Sequence, residues 1–414
     1  MDSATNLSQT KLEISSAGGG MRFLLGAIQP PTLHESTSER KATWMELFYD
    51  LAFVVAIATT AHSLSSSESP RGVLEFAVLF VLLQWAWTGY TFYNDRFDSD
   101  DLLHRLAGLC QMFLVLFIAT LHDWLSDDFR SFVFAYIFLR LFTIAFNYFA
   151  GLKIPAARQT TRTLAFGYSI ALVPLLAAIA VSDPNWRLAL VTSAAVLQLV
   201  PPLLLPPNST EDIPLSVSHI PERFGLFVTL TMGECFAGIV SIGTTDDRTI
   251  PFGLGCAIAI GIVFSIWWVY FARLNGEVLQ NLGAKTRFWV YGHVPLTMSI
   301  VALAVGLEEQ LESLLHPDEP ARRTLLFLAW GMGLVCLAVI QTASHANERT
   351  RAERRLFTAL LLFGAISAGL AFLPWDAEPL VNLAVVLVMG VILASLCIFC
   401  DLLSGSPHND QTIG

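Results

Sequence analysis

The stretch Trp44–Val55, WMELFYDLAFVV, decides how the chain is read. Its second half is apolar, like the opening of a membrane-spanning helix. Its first half carries Glu46 and Asp50, four residues apart. Four residues is about one helical turn, so both carboxylates lie on one face. An acid at the centre of a membrane helix costs ~2.5–3.5 kcal/mol on insertion scales, so the pair needs a purpose.

The rest of the chain confirms the membrane setting. Of its 414 residues 54% are hydrophobic and 14% charged, against about 25% charged in ordinary soluble domains. The formal charge of −10 reflects acids gathered in tails and loops, such as EEQLESLLHPDEP at 308–320. No basic patch of nucleic-acid type is present, so no nucleic-acid partner is expected. The six cysteines all fall in apolar segments and read as small buried hydrophobes. CIFC at 397–400 has zinc-like spacing but neither a second pair nor a nearby histidine. The nine histidines are scattered, and no phosphate loop or nucleotide fingerprint occurs. No metal or cofactor is expected.

A span needs ~20 mostly apolar residues. Candidates lie at 44–64, 73–93, 103–123, 131–151, 164–182 and 187–205, then at 224–244, 251–272, 286–307, 324–344, 354–373 and 379–402. The breaks between them are polar or carry Pro and Gly, as in SSSESPRG, VSDPNW and GTTDDRTIP. With twelve spans both termini share one side. Seventeen Lys and Arg fall on that side, six on the other, and Arg140 lies within a helix. The positive-inside rule then makes both termini cytosolic. The polar first forty residues lack the apolar core of a removable signal peptide, so the first span serves as the targeting signal. The expected organisation is a disordered segment 1–40, a six-helix unit 41–205, a cytosolic linker 206–222, a second six-helix unit 223–402 and a disordered tail 403–414.

The two sets of six helices resemble each other. ELF at 46–48 answers to GLF at 225–227, Trp87-x-x-Tyr90 to Trp267-x-x-Tyr270, and Asn94 to Asn275. The offset between partners stays nearly constant. Units with an even number of helices repeat in parallel, about an axis along the membrane normal. The expected fold is an all-α polytopic bundle of about twelve spans in two parallel six-helix repeats. The repeat makes the first and seventh helices equivalents, each with an intramembrane acid, so Glu234, in TLTMGECFAG, answers to Glu46 and Asp50.

Four stretches carry a family resemblance: ERKATWMELFYDLAFVVAIATTAHSL, LLQWAWTGYTFYNDRFDSDDLLHRLAGL, PERFGLFVTLTMGECFAGIV and RFWVYGHVPLTMSIVALAVGLE. Together they resemble the bacterial low-temperature-requirement A family of membrane proteins, over roughly residues 38–400. The chain departs from the pattern at Cys235, where a Ser is expected. The resemblance implies a multi-pass membrane protein and no defined chemistry. In general character, though in no alignable motif, the chain is also similar to membrane-bound terpene cyclases of fungal meroterpenoid pathways.

Ionisable groups within spans usually face the bundle interior and mark function. Candidate catalytic residues are Glu46, Asp50, Glu234 and His293, the last two residues before Pro295, where a helix loses an amide donor. A second reading makes the acids structural, pinned by Arg40 and Arg223. The aromatics Trp85, Trp87, Tyr90, Trp267, Trp268 and Tyr270, with Gln111, are candidate substrate contacts, since aromatic faces attract cations. They are equally readable as an interfacial belt, as are Trp44 and Trp289. An acid that protonates a lipophilic prenylated substrate, with aromatic faces sheltering the carbocation, describes a metal-independent membrane terpene cyclase. The competing reading is a proton-coupled transporter, whose acids relay protons.

Overall fold

The computed structural model describes residues 30–33, 41–66, 69–98, 101–121, 124–205, 213, 215–243, 249–272, 284–316, 322–344, 350–374 and 377–404. Twelve of its helical segments are long and apolar enough to cross a membrane. The first six spans are α1 (Trp44–Ser66), α2 (Pro70–Arg96), α3 (Leu102–Ala119), α4 (Phe129–Lys153), the pair α5 (Arg158–Ala171) and α6 (Val173–Ile179), and α7 (Pro184–Leu199) with a short 3-10 turn, Pro201–Leu204. The last six are α8 (His219–Ile242), α9 (Ile250–Phe271), α10 (Ala284–Leu315), α11 (Arg323–Ser344), α12 (Arg351–Phe372) and α13 (Pro379–Ser404).

The polar breaks act as helix starts. Ser69 caps α2 by accepting from the Gly72 amide at 3.1 Å, with Pro70 in the first turn. Asp101, Asp183 and Thr249 cap α3, α7 and α9 in the same way. Thr350 and Glu353 form a capping box on α12. Each cap satisfies backbone amides that have no partner in the first turn. Pro174 sits in the first turn of α6, where the fifth span breaks in two.

Several boundaries differ from the sequence expectation; the fifth span opens at Arg158 rather than 164, and three further differences bear on packing. α10 runs to Leu315, so the acidic stretch after Leu307 continues a helix. Its buried Gln310 accepts from Asn382 on α13 at 3.0 Å, a partner no local pattern reveals. α8 opens at His219, inside the segment expected to be linker. Within the segment expected to be disordered, Thr32 and Leu33 pair antiparallel with Asp98 and Phe97, forming strands β1 and β2. Arg40, most of segment 1–40 and residues 405–414 lie outside the described residues, as do Arg273 and Asn275.

Large apolar side chains such as Phe113, Phe166, Trp186, Phe264 and Phe372 point outward, as lipid contact requires. Small residues let helices approach closely. A Cβ on Gly306 of α10 would lie 2.8 Å from the Leu326 backbone of α11, and one on Gly331 would lie 2.9 Å from the Gly364 carbonyl oxygen of α12. α10 is the central helix: it packs on α8, α11 and α13, and across to α1 and α2 of the first six spans. α1 and α2 also pack on α8. The candidate site lies at this junction.

Candidate functional site

The helical spacing that puts Glu46 and Asp50 on one face of α1 also puts His219 and Arg223 on one face of α8. The two faces meet. Arg223 grips Asp50 with two donors, Nε to Oδ2 at 3.1 Å and Nη2 to Oδ1 at 2.5 Å. Its remaining nitrogen, Nη1, lies 2.9 Å from Glu46 Oε1. His219 bridges two carboxylates: Nε2 is 3.3 Å from Glu46 Oε2, and Nδ1 is 2.9 Å from Asp95 Oδ1 at the end of α2. Trp87 donates its indole N–H to Asp50 Oδ1 at 2.6 Å. Backbone amides complete the shell, Thr43 N to Glu46 Oε2 and Ser216 N to Asp95 Oδ2, both at 2.9 Å. All five ionisable groups are buried.

Three carboxylates therefore face one guanidinium and one imidazole. With one ring proton, His219 donates to one carboxylate and turns a lone pair toward the other. With two, it donates to both and removes one uncompensated negative charge. The charge balance of these contacts between α8 and α1 and α2 thus depends on the proton occupancy of His219, and buried charges are costly unless paired.

An aromatic seam continues from the cluster into the interior. Trp87 packs on Phe227 and Phe224, with ring centroids at 4.1 and 5.1 Å. Phe224 meets Trp289 and His293 of α10. His293 is satisfied on both sides, Nδ1 against the Trp289 carbonyl at 2.7 Å and Nε2 against the Tyr270 hydroxyl at 3.0 Å. It packs as a core histidine, without a carboxylate. Trp289, read as a possible belt residue, is fully buried here, whereas Trp44 is 88% exposed.

The remaining candidates scatter. Glu234 is half-buried on α8, fifteen residues beyond His219, a rise of about 22 Å. It does not join the cluster; the groups that face Glu46 and Asp50 are Arg223 and His219. Trp267 and Trp268 are 44% and 40% exposed on the outer surface of α9, away from any shared interior. Gln111 of α3 accepts from the Tyr49 hydroxyl at 3.1 Å, and Tyr49 stacks on Tyr90, whose hydroxyl meets His104 at 3.2 Å. These residues fill the seam between α1, α2 and α3. The sequence reading missed His219 and Asp95. The signal for the first was its spacing from Arg223 in HIPER, matching that of the two acids on α1.

Trp85, two residues before Trp87, faces a cleft instead. The cleft holds about 790 Å³ of empty space, part of it open to the surroundings, between α2, α4, α5, the 3-10 turn and α10. Among the described residues no three His, Cys, Asp or Glu side chains are grouped to hold a metal.

Comparison with known proteins places the chain in a family. A family model described as Bacterial low temperature requirement A protein (LtrA) matches residues 41–394. The uncharacterized protein RA0937 of Rhizobium meliloti (strain 1021) is 25% identical over 386 residues, 88% of this chain and 90% of that protein. No solved structure matches.

Proposed function

Because the chain belongs to the bacterial low temperature requirement A (LtrA) family and is a multi-pass membrane protein with twelve apolar spans, we propose that it is a carrier that couples movement of a small solute to a proton. The observation behind this reading is the buried cluster of Glu46, Asp50, Asp95, His219 and Arg223, which ties α1 and α2 to α8. These helices come from the two different sets of six. The cluster lies at the start of α1 rather than midway along it, so its role is a gate that holds one end of the bundle shut. His219 is the proton site that sets the strength of that gate. Both termini are assigned to the cytosolic side on the Lys and Arg distribution.

The terpene cyclase reading needs an acid that holds a proton and meets a substrate. Asp50 has both oxygens engaged by Arg223 and Trp87, and Glu46 is held by Thr43, His219 and Arg223. No candidate acid lines the cleft. The geometry therefore favours the carrier.

The test uses proteoliposomes loaded with a pH-sensitive dye and challenged with a small-molecule extract of the expressing cells. Wild type is expected to move protons in an extract-dependent way, and His219→Gln to abolish that movement. Rates equal to protein-free vesicles would overturn the carrier. Membranes that instead turn a prenylated epoxide into a new cyclic product would restore the enzyme.

A further inference from the structure

The cleft differs in charge from the cluster beside it. Among the described residues two arginines line it, Arg96 at the end of α2 and Arg287 at the start of α10, and no acidic side chain does. Arg96 is buried, its Nε has no hydrogen-bond acceptor among the described residues, and its guanidinium lies against the Phe92 ring. Its sequence neighbour Asp95 is committed to His219 and Ser216. Arg287 is held in place by the Leu203 and Leu205 carbonyls at 3.0 and 2.8 Å. These carbonyls satisfy its donors without neutralising its charge.

A third arginine stands directly behind the wall. Arg140, in the middle of α4, is fully buried and makes no ion pair among the described residues. Its guanidinium carbon sits 4.3 Å from the Tyr168 ring centre, and Nη1 reaches the Trp85 carbonyl at 3.5 Å. Nε and Nη2 have no acceptor. A Cβ on Gly89 would lie 3.2 Å from Nη1. Trp85, Gly89 and Tyr168 all line the cleft. An unpaired buried cation is expensive, so buried Arg96 and Arg140, with half-buried Arg287 on the same apolar, aromatic-walled space, favour a counter-charge there.

We propose that this cleft binds an amphiphilic anion, a phosphate or carboxylate head on an apolar body. The head lies between Arg96 and Arg287, within the field of Arg140. Guanidinium groups match such heads through charge-assisted hydrogen bonds. The body lies along Trp85, Tyr168 and Tyr291. The site stands on the cleft alone and does not require that the bound anion be transported.

The test is calorimetric titration of octyl phosphate, with neutral 1-octanol as control, into the full chain in phosphatidylcholine nanodiscs, corrected for empty nanodiscs. Octyl phosphate is expected to saturate one site, with octanol at least about tenfold weaker. Arg96→Gln is expected to weaken octyl phosphate about tenfold or more in a variant that still unfolds cooperatively. Arg71→Gln, at the opposite end of α2, leaves it unchanged. Arg287→Gln takes the place of Arg96→Gln if that variant does not fold. Equal affinity for the two ligands, or unaltered octyl phosphate binding in the folded arginine variants, would overturn the site. Phosphatidylglycerol added to the nanodiscs identifies the source: competition assigns the head to a bilayer lipid, and its absence to a free amphiphile. Either result upholds the anion site. Binding without proton-coupled transport would leave this site standing and sink the carrier.

Discussion

Arg223 carries most at the residue scale. It pairs with Asp50 and Glu46 at once from a fully buried position. Removing one partner of a buried pair strands a charge and costs about 3–5 kcal/mol. Arg223→Gln should therefore lose about that much in reversible unfolding. The double change Arg223→Met with Asp50→Leu should recover part of the loss, because it removes both charges together. Equal losses in the two variants would mean that the pairing is not what stabilises the site. Trp87 and Trp267 give a second contrast. They look alike as a repeated pair, yet one donates to a buried carboxylate and the other faces outward. Trp87→Phe should cost about 1–3 kcal/mol, and Trp267→Phe less than about 0.5 kcal/mol, in parallel melts.

Helices were more legible in the sequence than the contacts between them. Spans and starts follow from apolar runs and from Ser, Asp and Thr caps, all local features. Thr350→Ala should lower the melting temperature by an amount equivalent to about 1 kcal/mol, since it removes the α12 cap. The length of α10 was hidden because Glu308, Glu309 and Glu312 read as a solvated loop. Only packing against α13, through Gln310 and Asn382, shows why the helix goes on. The partners of Glu46 and Asp50 escape a sequence reading for a related reason. A search for repeats looks for like residues, whereas packing brings unlike charges together. Arg223 and His219 were the residues to look for. Gly331 tests the element scale directly: Gly331→Val forces α11 from α12 and should cost about 1–3 kcal/mol. A variant as stable as wild type would show that the helices can separate freely.

For the molecule as a whole, the cluster makes the first and last six spans mechanically dependent on each other. In the proposed carrier, opening one end means pulling α8 from α1 and α2. Cys235 reports on this, since it is buried three turns further along α8 with its thiol toward the Ile300 carbonyl of α10. In a chain that retains only this cysteine, Arg223→Gln should raise its labelling by a membrane-permeant maleimide several-fold. Unchanged labelling in a folded variant would remove the gate from the proposed mechanism.

The two-residue ladder of Thr32–Leu33 with Phe97–Asp98 has a practical corollary. Leu33 packs beside Tyr93 and Phe97, and Tyr93 is part of the cleft wall next to Arg96. The ladder holds Thr32 and Leu33 at the rim of that wall. Anything grafted just upstream of Thr32, whether a dye, a purification handle or a fused domain, is therefore anchored beside the arginines. Such a graft can serve as an optical probe of cleft occupancy, and it can equally foul the cleft, so handles belong at the other end of the chain.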